Sequence, residues 1–212
     1  MPKIPASNRH HFFLYFNPFW KKLATYLSTK CEKCGQERLL SAFTFYSEGK
    51  KPECTGCSIA SVMAFPLISF IFKSLGIDEG SVKSILKDSL ASRCMLSVVR
   101  GIANFGIMYP QPAGAPITVV WNFTNRCNLN CLHCHQDSSP VLCNKELSTS
   151  QAFKVVDNMS DAGVAIIAFS GGEPLMRNDI YDVIKRANDS GILCTVASNG
   201  TLLSLEVANP SD

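Results

Sequence analysis

The chain has 212 residues, 46% of them apolar and 17% charged, with a formal net charge of +3. That balance excludes a disordered polar tail and a nucleic-acid binder working through bulk charge, and it leaves apolar material for one large domain or two small ones. The charge is uneven: residues 1–110 hold fourteen Lys/Arg against seven Asp/Glu, a balance of +7, while residues 111–212 hold six against ten, or −4.

Residues 1–30 are basic and aromatic, with Phe12, Phe13, Tyr15, Phe16, Phe19 and Trp20 close together. No small-residue cleavage site follows, so the segment is not a secretory signal. It reads as a leader packed on the body of the protein, with a membrane-interface anchor as the other reading.

Ten cysteines stand at 31, 34, 54, 57, 94, 127, 131, 134, 143 and 194. Clusters of thiols in a chain without a secretory signal point to metal ligation in a reducing compartment. Cys31, Cys34, Cys54 and Cys57 form two C-x2-C pairs nineteen residues apart. This spacing predicts a zinc-ribbon-like module over 31–57 holding Zn2+, with Gly35 and Gly56 suiting tight knuckles. A single iron or an Fe–S cluster fits the same four sulfurs, and thiols with no metal are the third reading.

From Cys54 to Phe72 there is no charged residue. If Cys54 and Cys57 hold a metal, only 58–72 is left, roughly 22 Å of helix against a hydrocarbon core of about 30 Å, with Pro66 inside it. A buried or interfacial helix is expected, and a membrane contact through 58–72 stays open beside a cytoplasmic location. Asp78 predicts an N-cap with Glu79 in the first turn. Leu86, Leu90, Cys94, Val98 and Ile102 then recur every four residues as the apolar stripe of a helix or helix pair, closed by Gly106. The helical segment is therefore 58–106, and the Pro/Gly-rich run 107–115 is a linker.

The remainder, 116–212, alternates strand and helix. Strands are expected at 117–123, 164–169 and 192–197, all buried. The helices between them lie at 148–163, opened by a Ser148/Gln151 capping box and closed by Gly163, and at 179–190. This is an α/β pattern with a parallel sheet and its chemistry at the strand C-termini.

Cys127-x3-Cys131-x2-Cys134 follows the first strand. Three thiolates on one loop suit three irons of a [4Fe–4S] cluster and leave the fourth iron open. Zinc, with His133 or His135, and thiols without metal are the alternatives. Ser170-Gly171-Gly172-Glu173-Pro174 ends the second strand, where glycines let backbone approach a ligand and Glu173 offers a carboxylate to an ammonium. Ser198-Asn199-Gly200-Thr201 follows the third. Cys94 and Cys194 read as buried packing, and Cys143 as inert.

Together these residues resemble the radical S-adenosylmethionine (radical SAM) superfamily, with the run FSGGEPLMR similar to its SPASM-like branch. The resemblance covers about 116–203. It implies a (β/α)6-type partial TIM barrel, of which some three βα units are present, preceded by the zinc-ribbon-like and helical N-terminal domain. It further implies that Cys127, Cys131 and Cys134 ligate the cluster, with S-adenosylmethionine chelating the fourth iron. Gly171, Gly172 and Glu173 would hold its amino group, His133 would lie near the adenine, and Ser198 or Asn199 would face the cofactor. His135 departs from the Tyr common at that position. The implied activity is reductive cleavage of S-adenosylmethionine and hydrogen abstraction from an unidentified substrate, a peptide or a cofactor precursor. A low-potential donor of ferredoxin or flavodoxin type would supply the electron. Three strands fall short of a barrel, so the chain is expected to be a fragment of a longer enzyme. The rivals are a non-catalytic metal-binding adaptor and an inactive remnant. No nucleic-acid partner is expected.

Overall fold

Among the described residues five helices come first, then three strands with helical connections. The computed structural model describes residues 17–136, 138–141 and 146–203. The chain divides into two units, Met1–Ile117 and Thr118–Asp212.

Unit 1 contains α1 (Asn17–Ser28), α2 (Arg38–Glu48), α3 (Thr55–Ser74), α4 (Glu79–Lys87) and α5 (Ser89–Phe105). Their apolar faces meet in one core that includes Leu23 and Leu27, Leu39 and Phe43, Ala60, Ala64 and Ile68, Val82 and Leu86, and Leu96. Turn chemistry sets the boundaries. Gly49 ends α2 at φ +72°, a left-handed cap that costs glycine little. The Asp78 carboxylate accepts the Ser81 N–H at 2.9 Å and opens α4. Asp88 breaks what would be one helix into two: it ends α4, and its carboxylate accepts the Ala91 N–H at 2.7 Å to start α5.

That break moves the buried stripe. A continuous Leu86, Leu90, Cys94, Val98, Ile102 face is not what packs inward. Val98 is 42% exposed, and the buried positions of α5 are Ser92, Arg93, Leu96, Ser97 and Gly101. The small residues there let the 107–115 run come close. A Cβ on Gly101 would stand 1.9 Å from the Pro112 carbonyl oxygen, and one on Gly114 2.3 Å from the Arg100 Cβ. Gly114 N–H donates to Ser97 C=O at 2.7 Å, and the Ser97 hydroxyl donates to Ala115 C=O at 3.0 Å. The expected linker is thus docked on α5, and the division between units falls after Ile117.

The arithmetic that left only fifteen residues for the apolar helix also fails. Helix α3 has twenty residues, begins at Thr55, runs through Pro66 and takes in Cys57 in its first turn. Its length is roughly 30 Å.

Unit 2 carries β1 (Thr118–Thr124), α6 (Thr149–Ala162), β2 (Ile166–Gly171), a 3-10 turn (Pro174–Met176), α7 (Ile180–Asp189) and β3 (Leu193–Val196). The strands form a parallel sheet in the order β1-β2-β3, with Val119 beside Ile167 and Ile167 beside Cys194. The Ser148/Gln151 capping box starts α6, and Gly163 ends it in the left-handed region at φ +95°. Phe123, Ile167 and Phe169 from the sheet pack with Ala152 and Val156 of α6 and Ile180, Val183 and Ala187 of α7. Trp121 and Phe123 lie edge to face at 5.2 Å, and Phe123 and Phe169 at 5.4 Å.

The strands are not buried on both faces as their apolar content predicts. Ile167 and Phe169 are fully buried, but Val120 is 67% exposed and Leu193 47% exposed. Strand residues alternate sides, and the helices cover only one. The other face, with Val120, Ala168 and Thr195 in one row, is where a barrel interior would lie.

Candidate functional site

Three loops leave the C-terminal ends of β1, β2 and β3 on the same side of the sheet, and backbone hydrogen bonds hold them together. Gly172 N–H donates to Thr124 C=O and Glu173 N–H to Arg126 C=O, both at 2.7 Å. This contact explains both glycines. A Cβ on Gly171, at φ +114°, would stand 2.2 Å from the Thr124 oxygen, and one on Gly172 2.1 Å from the Arg126 oxygen. The backbone they admit is that of the neighbouring loop, where the sequence had pointed to a ligand.

Glu173 joins the second loop to the third. Its side chain is fully buried. One carboxylate oxygen accepts the Leu175 N–H and the Ser198 hydroxyl, each at 3.0 Å, and the other accepts the Asn199 N–H at 2.7 Å. The carboxylate ties the β2 loop to the β3 loop and is already engaged there. Asn199 then reaches the first loop: its amide donates to Asn128 Oδ1 at 2.9 Å and lies 3.9 Å from the Cys127 Sγ. Asn128 donates in turn to the Thr201 hydroxyl at 2.8 Å.

The cysteine loop closes on itself. Cys127 N–H donates to Ser139 C=O at 3.0 Å, and Ser139 N–H to Asn125 C=O at 3.2 Å. A turn with Cys134 N–H on Cys131 C=O at 3.1 Å carries the other two thiols. Cys131 and Cys134 are exposed, as are His133 and His135, while Cys127 is half-buried with the Leu129 N–H 3.5 Å from its sulfur. His135 Nε2 meets the Gln136 amide at 3.1 Å, and Gln136 pairs both ways with Asn122 at 3.0 and 3.3 Å. Cys143 lies outside the described residues.

These features can be weighed against known proteins. Residues 121–210 match the radical SAM superfamily. Fe-coproporphyrin III synthase of Methanosarcina barkeri is 40% identical over 90 residues, 42% of this chain and 23% of that protein. The probable GTP 3',8-cyclase of Methanothermobacter thermautotrophicus is 42% identical over 83 residues, 39% of this chain and 27% of that protein. PqqA peptide cyclase of Bradyrhizobium diazoefficiens is 34% identical over 93 residues, 44% of this chain and 24% of that protein. The chain spans about a quarter of the length of these relatives.

The radical SAM unit holds its cysteine loop with residues that the sequence reading passed over. The Arg177 guanidinium forks onto Asp179 at 2.9 and 2.7 Å, donates to Phe123 C=O at 3.3 Å and lies 4.0 Å over the Phe123 ring. Glu146 stands 4.0 Å from it and accepts from the Thr124 hydroxyl and, at 3.3 Å, from the Asn125 N–H. Both bonds fall just before Cys127. Hydrogen bonds from Arg177 hold the Asp179 carboxyl below the usual carboxylate range, opposed by burial and helped by Thr149. The signal was present in the run Arg177-Asn178-Asp179, but a charge pair two residues apart has no regular period to mark it.

Unit 1 gathers the second set of thiols. The sulfurs of Cys31, Cys34, Cys54 and Cys57 all lie within 4.8 Å of one another. The pairs Cys31–Cys54, Cys34–Cys57 and Cys34–Cys54 stand at 3.4, 3.5 and 3.5 Å. Four sulfurs bonded at about 2.3 Å around one tetrahedral ion would stand roughly 3.8 Å apart, so the set fits a single ion.

An antiparallel bridge between Lys30 and Glu37 frames the first pair of thiols, and a helix start carries the second. Cys31 and Cys34 lie on a turn closed by Gly35 N–H on Cys31 C=O at 2.7 Å, with Gly35 at φ +72°. Cys54 and Cys57 sit at the start of α3, where helix N–H groups favour thiolate. Gly56 is no knuckle; it is helical, and an added Cβ would rest 3.5 Å from the Cys31 sulfur. The N–H groups of Cys34 and Lys33 pull the Cys31 thiol down to about 6, while burial pushes Cys57 up to about 12.

Proposed function

We propose that the radical SAM unit holds a [4Fe–4S] cluster on Cys127, Cys131 and Cys134, binds S-adenosylmethionine at it, and starts hydrogen abstraction from a substrate. The observation that carries this reading is the joining of three loops around exposed thiols at the strand C-termini. An adaptor has no use for a ligand loop braced so closely by its neighbours. When bound, the cluster supplies the electron that splits the sulfonium and gives a 5′-deoxyadenosyl radical.

The chain's own residues hold and orient. Gly171 and Gly172 bring the β2 loop onto the β1 loop, Glu173 fixes Ser198 and Asn199, and Asn199 places an amide donor beside the Cys127 sulfur. With its carboxylate engaged in that brace, Glu173 acts on the amino group's site through the backbone it positions. His133 is exposed on the cysteine loop, open to the adenine. The reductant is a low-potential ferredoxin- or flavodoxin-type donor. The relatives' names divide among porphyrin, nucleotide and peptide chemistry, and a peptide or cofactor precursor is the substrate class assigned to this chain. In unit 1 the four thiolates hold one Zn2+, which supports the helical core. Thiolates at both sites require a reducing compartment, and the cytoplasm supplies one.

The test is anaerobic reconstitution followed by iron and zinc counting and electron paramagnetic resonance. The expected result is about four irons and one zinc per chain, with a reduced spectrum that shifts on adding S-adenosylmethionine. Cys131→Ser should lose the iron and keep the zinc. Zinc alone, or a cluster blind to the nucleotide, would favour the adaptor.

A further inference from the structure

Helix α3 is apolar on two opposite faces, and one of them packs into the core that the described residues of unit 1 form. Cys57, Ala60, Ala64 and Ile68 are buried, the last three in the helical core. At 3.6 residues per turn, Ile59, Val62, Met63, Pro66 and Phe70 fall on the other side. There Ile59 is 55%, Val62 71% and Phe70 72% exposed. These five side chains carry no charge and no hydrogen-bonding group, and part-exposed Ser58 and Ser69 flank them. Charge is confined to its ends. Exposed Lys51 and Lys50, the latter paired with Glu48 at 2.7 Å, precede the helix, and exposed Lys73 lies on the line of the stripe in the last turn. Glu53 is the acidic residue nearest the stripe in sequence, and unit 1 as a whole carries +7.

We infer that this face lies flat in the headgroup region of an anionic phospholipid bilayer. Apolar side chains of α3 would be sunk into the acyl boundary, and the lysines would contact lipid phosphates. The helix is long and apolar enough to cross a membrane, but the burial of its other face argues against crossing. Drawing α3 into lipid would strip Ala60, Ala64 and Ile68 from the core and pull Cys57 out of the four-sulfur set. Two lipid-compatible faces with one already committed to protein describe an interfacial helix.

The experiment is flotation of the full, zinc-loaded chain with phosphatidylcholine vesicles with and without 30% phosphatidylglycerol. The expected result is at least a ten-fold preference for the anionic vesicles, reduced by 0.5 M salt and released by alkaline carbonate. Val62→Glu and Phe70→Glu, at positions open enough to accept charge, should each lower binding at least ten-fold with zinc content and circular dichroism unchanged. A Lys50→Glu, Lys51→Glu, Lys73→Glu variant should lose the anionic preference while leaving the helix faces intact. The inference is overturned if the wild-type chain does not float, or if the glutamate variants float as well as it does. Resistance to carbonate would establish a span instead. A dimer in solution that Val62→Glu dissociates would assign the face to a second copy.

Discussion

Gly172 carries no unusual backbone angle, yet it tolerates no side chain, because the Arg126 oxygen stands where a Cβ would be, at 2.1 Å. Gly172→Ala must push the β1 and β2 loops apart, and overpacking of this kind costs about 2–3 kcal/mol. Urea unfolding monitored on unit 2 measures it, and a loss below about 0.5 kcal/mol would show that the loops part freely. Glu173→Gln tests the second brace. The amide keeps one acceptor oxygen and turns an N–H toward the donors of Ser198 or Asn199, leaving a buried group unpaired at a cost of about 2 kcal/mol. Iron retention should fall with it, because Asn199 and the Cys127 loop are held through that carboxylate. Normal iron binding in a destabilised Glu173→Gln chain would separate the brace from the site.

At the scale of elements, the clamp between the start of α7 and the end of β1 predicts a pH dependence with a definite sign. Asp179 is held below the ordinary carboxylate range by Arg177. A group whose value is lowered on folding stabilises above its unfolded value, about 3.9, and the gain is lost as pH falls through the folded value. Asp179→Asn should therefore cost about 2–3 kcal/mol at pH 7, since it strips a buried guanidinium of its closest carboxylate. The gap between variant and wild type should narrow as pH falls from the unfolded value through the lower folded value, as thermal unfolding across that acidic range would show. How far such elements were legible in the sequence depended on whether their cause was local. The Ser148/Gln151 box, Gly163, Asp78 and the strand positions were readable because caps and apolar runs lie within a few residues. The docking of 107–115 on α5, the open face of the sheet and the engagement of Glu173 arise from partners distant in the chain. At Asp88 the sequence left one helix or a pair open, because a four-residue apolar repeat runs straight across it, and the cap geometry shows that it ends one helix and starts another.

The two units have separate cores and, on the proposed reading, separate metals, so they should fail separately. Unit 1 packs its helices around Leu39, Phe43 and Leu96, and the buried sulfurs of Cys31 and Cys57 stand beside that core. Structural zinc in small peptides contributes an apparent 10–16 kcal/mol of folding energy, about the total stability of a domain this size. Its removal should therefore unfold unit 1. Unit 2 draws its core from Phe123, Phe169 and the faces of α6 and α7, with no zinc thiol among them. The chain supplies its own reporters, because its two tryptophans are divided as Trp20 in unit 1 and Trp121 in unit 2. In a Trp121→Phe chain, a chelator under reducing conditions should shift the Trp20 emission to the red and abolish its thermal transition. In a Trp20→Phe chain the Trp121 transition should move by less than about 2 °C, because no contact of its core is lost. Cys57→Ser should reproduce the first result without chelator. If both tryptophans respond together, the units fold as one and the zinc stabilises the radical SAM unit as well; if neither responds, the four thiolates hold no structural metal.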